Sequence, residues 1–277
     1  MLRRYILFLK KSPIITAILA IVYIMVCIKT IDTSTSFQVF IVRTMLCGAV
    51  CFFLYQISGD KTLTASYNST GYVIRVSIGF LIIAGLMGTL SLVMSMMNNV
   101  PLSDHPALGT LTVFLMFMSV GLFEELAFRA VINDAIIYKF REWKYVFVLS
   151  AVVSSIAFGG AHVLGFDTSS SLAWMQAIGK TLSAGVFGLA LLILYWKTRN
   201  IWACGVVHGL YDYLASFSMG IYESAALKHP TYVASDEAAV PVIILYSVLT
   251  LIEVVFVLII WKKVGKSIDF NEIRKNW

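Results

Sequence analysis

Three short strings gather the side chains best suited to moving protons or holding charge in an apolar setting: Glu124-Glu125-Leu126-Ala127-Phe128-Arg129, Phe158-Gly159-Gly160-Ala161-His162 and His208-Gly209-Leu210-Tyr211-Asp212. Residues four apart share a helix face, so Glu125 and Arg129 are set to form an ion pair. Glu124 projects about 100° away, following the 3.6-residue turn, and one cation cannot neutralise both carboxylates. Glu124 is thereby left as a group that can take and return a proton. His208 and Asp212 are again four apart, with a private hydrogen bond as the plainer use of the pair. No Ser-His-Asp set, serine-nucleophile elbow, HExxH string or Gly-rich phosphate loop competes with these strings.

The elements that must position them are read from composition. Of the 277 residues, 59% are hydrophobic and 13% charged, with a mean hydropathy of +0.86. Soluble domains carry about 45–50% apolar and about 25% charged residues, so a soluble globule is excluded. Eight apolar runs, 13–31, 37–57, 72–97, 108–133, 145–165, 173–196, 200–220 and 240–261, predict an all-α, polytopic membrane bundle of about eight transmembrane helices. An ionisable side chain inside such a span costs about 2.5–3.5 kcal/mol on insertion scales, which makes each one a functional candidate. The charged turn around Trp143 folds spans four and five into a hairpin. Glu124 and His162 each lie 19 residues from it, so the two should meet at one depth. Gly159 and Gly160 clear bulk beside His162, Gly205 and Gly209 form a small-xxx-small pair, and Gly185 and Gly188 serve packing. Lys180 is placed to snorkel from the end of span six, while Glu253 faces a neighbouring helix or the cavity.

The net charge of +6 does not call for nucleic acid. Sixteen of the 21 basic residues fall at the two termini or in loops two, four and six, among them Arg4, Lys10, Lys61, Lys144, Lys197 and Arg274. By the positive-inside rule both termini are cytoplasmic. The Arg3 to Lys11 segment followed by an apolar run imitates a signal peptide but lacks a cleavage site, so it reads as an uncleaved first span. Cys27, Cys47, Cys51 and Cys204 lie in apolar runs and imply no disulfide framework. Tyr222 to Pro241 reads as an exposed loop; His105 and His229 precede prolines in outer loops, and residues from Ser267 onward as an interfacial tail. No linker is visible, so residues 1–277 read as one membrane domain.

The three strings resemble, in order, the EExxxR, FxxxH and third motifs of the CPBP membrane proteases, the group of CAAX prenyl endopeptidases and bacteriocin-processing proteins also called Abi. The similarity covers about residues 108–220. It departs at Asp212, where the prenyl-protease branch typically carries Asn. The resemblance implies an intramembrane endopeptidase of glutamic type. Glu124, assisted by His162, would activate a water; Glu125 and Arg129 would hold the helix; His208, with Asp212, would donate to the oxyanion. It also implies a cavity open to the cytoplasm. No cofactor is required, with Zn²⁺ held by Glu124, His162 and His208 as the alternative. Expected partners are a peptide or membrane-protein substrate and the lipid bilayer, without nucleic acid, and a sensor kinase or peptide-export partner is an option. The location expected is the bacterial cytoplasmic membrane. The alternative function is a non-proteolytic scaffold, bacteriocin-immunity or sensor-modulating protein of the same fold.

Overall fold

The computed structural model describes residues 2–223 and 232–276. Lys228 and His229, within the last long loop, lie outside the described residues. Along the chain run α1 (Leu2–Lys11), α2 (Pro13–Thr30), α3 (Ser36–Ser58), α4 (Lys61–Thr64), α5 (Thr70–Val76), α6 (Ile78–Met97) and α7 (Pro106–Glu124). A π-helical stretch, Glu125–Ile132, joins α7 to α8 (Asn133–Phe140), and then follow α9 (Val146–Ala161), α10 (Ser171–Thr198), α11 (Ile201–Ser216), α12 (Ser218–Ile221), α13 (Ala239–Val264) and α14 (Phe270–Asn276). Local sequence sets many of these ends. Pro13 and Pro106 occupy first-turn positions where their missing N–H costs nothing. Thr35 and Gln38 close a capping box on α3, and the Ser170 and Asn200 side chains cap α10 and α11. Arg199, in a left-handed conformation (φ 49°), reverses the chain between α10 and α11.

All eight apolar runs are helical over most of their length, and the chain is a multi-pass membrane protein. Among the described residues, six segments are long and apolar enough to cross a membrane: α2, α3, α6, Pro106–Phe140, α10 and Asp236–Ser267. The other two, α9 and α11, have 16 residues each. At 1.5 Å per residue that is about 24 Å, short of the ~30 Å hydrocarbon core. Apolar sequence continues past both, but α9 tightens into three-residue turns, with the amides of His162 and Val163 bonding Gly159 and Gly160 carbonyls. The short helices are the ones that carry His162, His208 and Asp212.

The centre of the bundle is α10, buried along most of Ser183–Trp196, packed against α9 and α13; α11 packs against α7 and α6. Leu86 and Leu90 of α6 and Leu251 and Leu258 of α13 point outward, as lipid-facing side chains should. One end of the bundle gathers the basic loops and tail. Lys61 Nζ donates to the Asn276 carbonyl (2.8 Å), Lys197 Nζ to the Ser267 carbonyl (2.9 Å) and Arg274 to the Lys144 carbonyl (3.1 Å). Lys10 sits over the Tyr55 ring at this end. At the other end the loops after α6 and α12 pair, Ser103 with Ile221 and Glu223 with Pro101, and Ser170 meets Asp236.

Asp134, which the sequence placed in a loop, is instead buried within α8 and ties the basic end together. Its carboxylate accepts hydrogen bonds from Thr62 Oγ1 (2.6 Å), Asn133 (2.8 Å), Tyr195 Oη (2.8 Å) and the Arg199 guanidinium (3.2 Å). Removing one partner of a buried, hydrogen-bonded pair costs about 3–5 kcal/mol. Asp134→Ala should therefore lower the thermal unfolding temperature of the purified protein in detergent by several degrees, whereas Asp60→Ala, at an exposed helix end, should not.

Candidate active site

The residues of the first string straddle the junction between α7 and the π-helix. Glu124 closes α7 and Glu125 opens the π-helical stretch, a geometry that sequence periodicity does not signal and that recurs at functional sites. Ser154 of α9 donates to the Phe128 carbonyl within it (2.7 Å). Glu125 and Arg129 are both fully buried, with Arg129 Nε 3.3 Å from Glu125 Oε2. The pair is in contact but off the hydrogen-bonding direction. The guanidinium instead lies over the Phe158 ring, 3.7 Å from its centre. Gly188 leaves the space: a Cβ there would collide with Arg129 Nη2. Gly188 therefore does more than general packing.

The second carboxylate oxygen of Glu125 accepts from His208 Nδ1 at 2.8 Å. The far nitrogen of the ring, Nε2, stands 3.7 Å from Glu124 and 3.5 Å from Asp212. A private His208–Asp212 hydrogen bond is thus not what forms; the ring's short bond goes to Glu125, and Asp212 is a looser neighbour. Glycine backbone brings α11 this close to α7. A Cβ on Gly121 would strike the Gly209 amide, and one on Gly205 or Gly209 would come within 2.8 Å of the Leu122 or Met118 Cα. The expected small-xxx-small face is real, and it requires a third glycine on the partner helix.

On α9, Gly159 lies against the Thr181 carbonyl of α10, whereas Gly160 has nothing within 4 Å of its Cβ position. Only the first of the two glycines clears bulk. His162 follows at the helix end, its Nδ1 2.9 Å from the Phe158 carbonyl. A carbonyl only accepts, so Nδ1 carries the proton and the neutral ring presents Nε2 as an acceptor. Phe158 packs on three of these groups at once, under Arg129 and edge-on to both histidines.

Glu124, His162 and Asp212 line one cavity of about 510 Å³, together with Arg43, Lys180 and Tyr232. The meeting of Glu124 and His162 at one depth follows the hairpin arithmetic. Glu125, Arg129 and His208 stand behind the wall, His208 with 2% of its surface exposed. The expectation that His208 donates directly to substrate is corrected by this placement, since both its nitrogens face carboxylates. Arg43 was passed over in the sequence as a site residue, although it is an ionisable group inside an apolar run; Lys180 turns inward, over the Tyr232 ring, rather than snorkelling. Nothing in the sequence marks Tyr232. Glu253 faces a neighbouring helix, accepting from Ser183 at 3.1 Å. The cavity includes Ile31, Thr33, Met219 and Tyr232, so it lies toward the end of the bundle opposite the basic loops and tail.

Among the described residues no three His, Cys, Asp or Glu side chains are arranged to hold a metal ion. His208 Nδ1 is engaged by Glu125 and His162 Nδ1 by the Phe158 carbonyl, which leaves one nitrogen on each ring. The residues do not form a metal centre as they stand. The four cysteines are free thiols, Cys204 fully buried.

Comparison with known families matches residues 106–214 to the family described as Rce1-like, type II CAAX prenyl endopeptidase Rce1-like. The matched stretch holds all three strings and is the one for which the sequence resembled the CPBP group. The match covers less than half of the chain. Comparison with curated proteins and with solved structures yields no match.

Overpacking a filled site costs about 1–3 kcal/mol. Gly188→Ala should lower thermal stability by that amount and displace Arg129, whereas Gly160→Ala should leave stability within about 0.5 kcal/mol of the parent. Parallel melting curves of the two variants check the assignment.

Proposed function

We propose that this chain, whose residues 106–214 match the family described as Rce1-like type II CAAX prenyl endopeptidase, is an intramembrane endopeptidase in which Glu124 is the general base. The observation that carries the reading is the cavity wall itself: one carboxylate outside the Glu125–Arg129 pair beside a histidine whose hydrogen bond leaves Nε2 free to accept. A water between them gives its proton to this pair as its oxygen attacks the scissile carbonyl. The proton then passes to the departing amine, so no acyl-enzyme forms. Asp212 borders the same space. His208 is a positioning residue, braced by Glu125 and Arg129 so that Nε2 faces Glu124. The chemistry needs no cofactor, and the substrate is a membrane-associated peptide or protein.

General-base action is worth about 10²–10⁴ in rate. Glu124→Gln and His162→Ala should each lose at least about a hundredfold in cleavage while remaining folded in the membrane. Comparative peptidomics of cells carrying wild-type or Glu124→Gln protein identifies the substrate, and undiminished cleavage by purified Glu124→Gln protein would remove Glu124 from the role. Full complementation by Glu124→Gln would favour the scaffold function instead.

The orientation we infer, in a bacterial cytoplasmic membrane, keeps the basic end with both termini in the cytoplasm. Substrate then enters from the opposite face. In intact cells of a cysteine-free background, Thr33→Cys should react with a membrane-impermeant maleimide and Lys197→Cys should not. The reverse pattern would invert the topology.

A further inference from the structure

Two cations of the cavity wall take no part in the proton chemistry. Arg43 comes from α3 and Lys180 from α10, both within apolar runs, and both line the space that holds Glu124. The buried cluster has short contacts of its own: Glu125 lies between Arg129 and His208, and Glu124 and Asp212 both face His208 Nε2. Among the described residues no carboxylate forms an ion pair within 4 Å of either cation. Arg43 Nη1 is buried without a hydrogen-bond partner, its guanidinium 5.0 Å from the Phe123 ring centre. Lys180 Nζ lies 4.5 Å from the Tyr232 ring centre and 5.9 Å from that of Tyr246. Both ammonium and guanidinium thus rest against neutral rings, and the carboxylates that act on them through the cavity, Glu124 on Arg43 and Asp212, Glu253 and Glu124 on Lys180, stay beyond ion-pair distance.

Cations held in a membrane-embedded wall mark a ligand path, because they are costly to place there. Val42, Met116 and Val120 share the wall, so the ligand presents apolar surface beside its charge. We propose that Arg43 and Lys180 form a carboxylate-binding subsite that fixes an apolar peptide beside Glu124. The carboxylate is either the α-carboxylate of a chain end or the side chain of an Asp or Glu. The guanidinium fork matches a carboxylate in two-pronged fashion, and the ammonium adds a point charge. A cavity of about 510 Å³ has the size of a small-ligand pocket, suited to a short peptide stretch rather than a folded domain. An anchored carboxylate would hold the scissile carbonyl in register with the general base. The inference rests on the proteolytic reading of this cavity.

Binding separates the two ideas, because no bond has to be cut. Glu124→Gln protein in phosphatidylcholine nanodiscs is titrated with three fluorescent Leu/Val hexapeptides: one with a free C-terminal carboxylate, one amidated, and one amidated with a single internal Glu. At least one acidic peptide should bind roughly tenfold or more tightly than the neutral amide, as charge-assisted hydrogen bonds provide. Which one does so identifies the source of the carboxylate. In the added Arg43→Gln/Lys180→Gln background the preference should shrink to within about threefold, with binding of the amide unchanged. Lys180→Arg, which keeps the charge, should retain it and guards against a merely misfolded double variant. Equal binding of all three peptides overturns the proposal, as does a preference that survives the double substitution. Loss of the preference in phosphatidylglycerol nanodiscs would assign the cations to lipid phosphate and also overturn it. If the acid preference stands while wild-type protein cleaves none of the three peptides, the subsite is right and the test of proteolysis stays with Glu124→Gln in cells.

Discussion

Glu125 is shut off from water and has a positive or proton-donating group against each of its oxygens, Arg129 on one and His208 Nδ1 on the other. In a medium where a lone charge is costly, this carboxylate joins two helices that have little else polar in common. The π-helical stretch supplies Arg129, α11 supplies His208, and Phe158 of α9 supports both from below. Each partner holds Glu125 in place and is held by it. Glu124 inherits its position from this clamp, being the neighbouring residue in the chain and the one whose side chain turns to the cavity instead of the cluster.

The clamp closes only because backbones approach unusually near. Gly121 meets Gly205 and Gly209 where α7 crosses α11, and Gly159 meets the Thr181 carbonyl where α9 crosses α10. With no hydrophobic driving force between helices in lipid, such contacts replace side-chain burial as the source of specificity. They also explain the location of the short helices. α9 and α11 are each shorter than the hydrocarbon core, and each ends beside the cavity that its histidine or aspartate borders, so the polar groups meet enclosed space rather than lipid.

A second polar knot, around Asp134, Tyr195 and Arg199, sits at the basic end. It anchors α8 to the end of α10, and α8 continues the π-helical stretch that carries Arg129. The molecule thus has an ionic layer that fixes its frame and another that borders reactive space. Arg43 and Lys180 form no ion pair within 4 Å in either layer, and they stand on the cavity wall instead.

Apolar runs, caps and charge asymmetry determined the helical membrane class, the location of the helices and the end that carries the basic groups, because these follow from local composition and from the cost of charge in hydrocarbon. The Glu125–Arg129 pair was equally legible, since four residues on a helix fix a neighbour. The depth match of Glu124 and His162 needed only a rise per residue and a hairpin. Tertiary structure decided the rest. The choice of Glu125 over Asp212 as the short partner of His208 depends on how closely two helices cross, and a spacing within one helix carries no such information. The inward turn of Lys180, the space Gly188 leaves for Arg129 and the division between cavity wall and buried support have the same origin: they are set by which side chain a neighbouring helix displaces, a relation between segments that no single segment encodes.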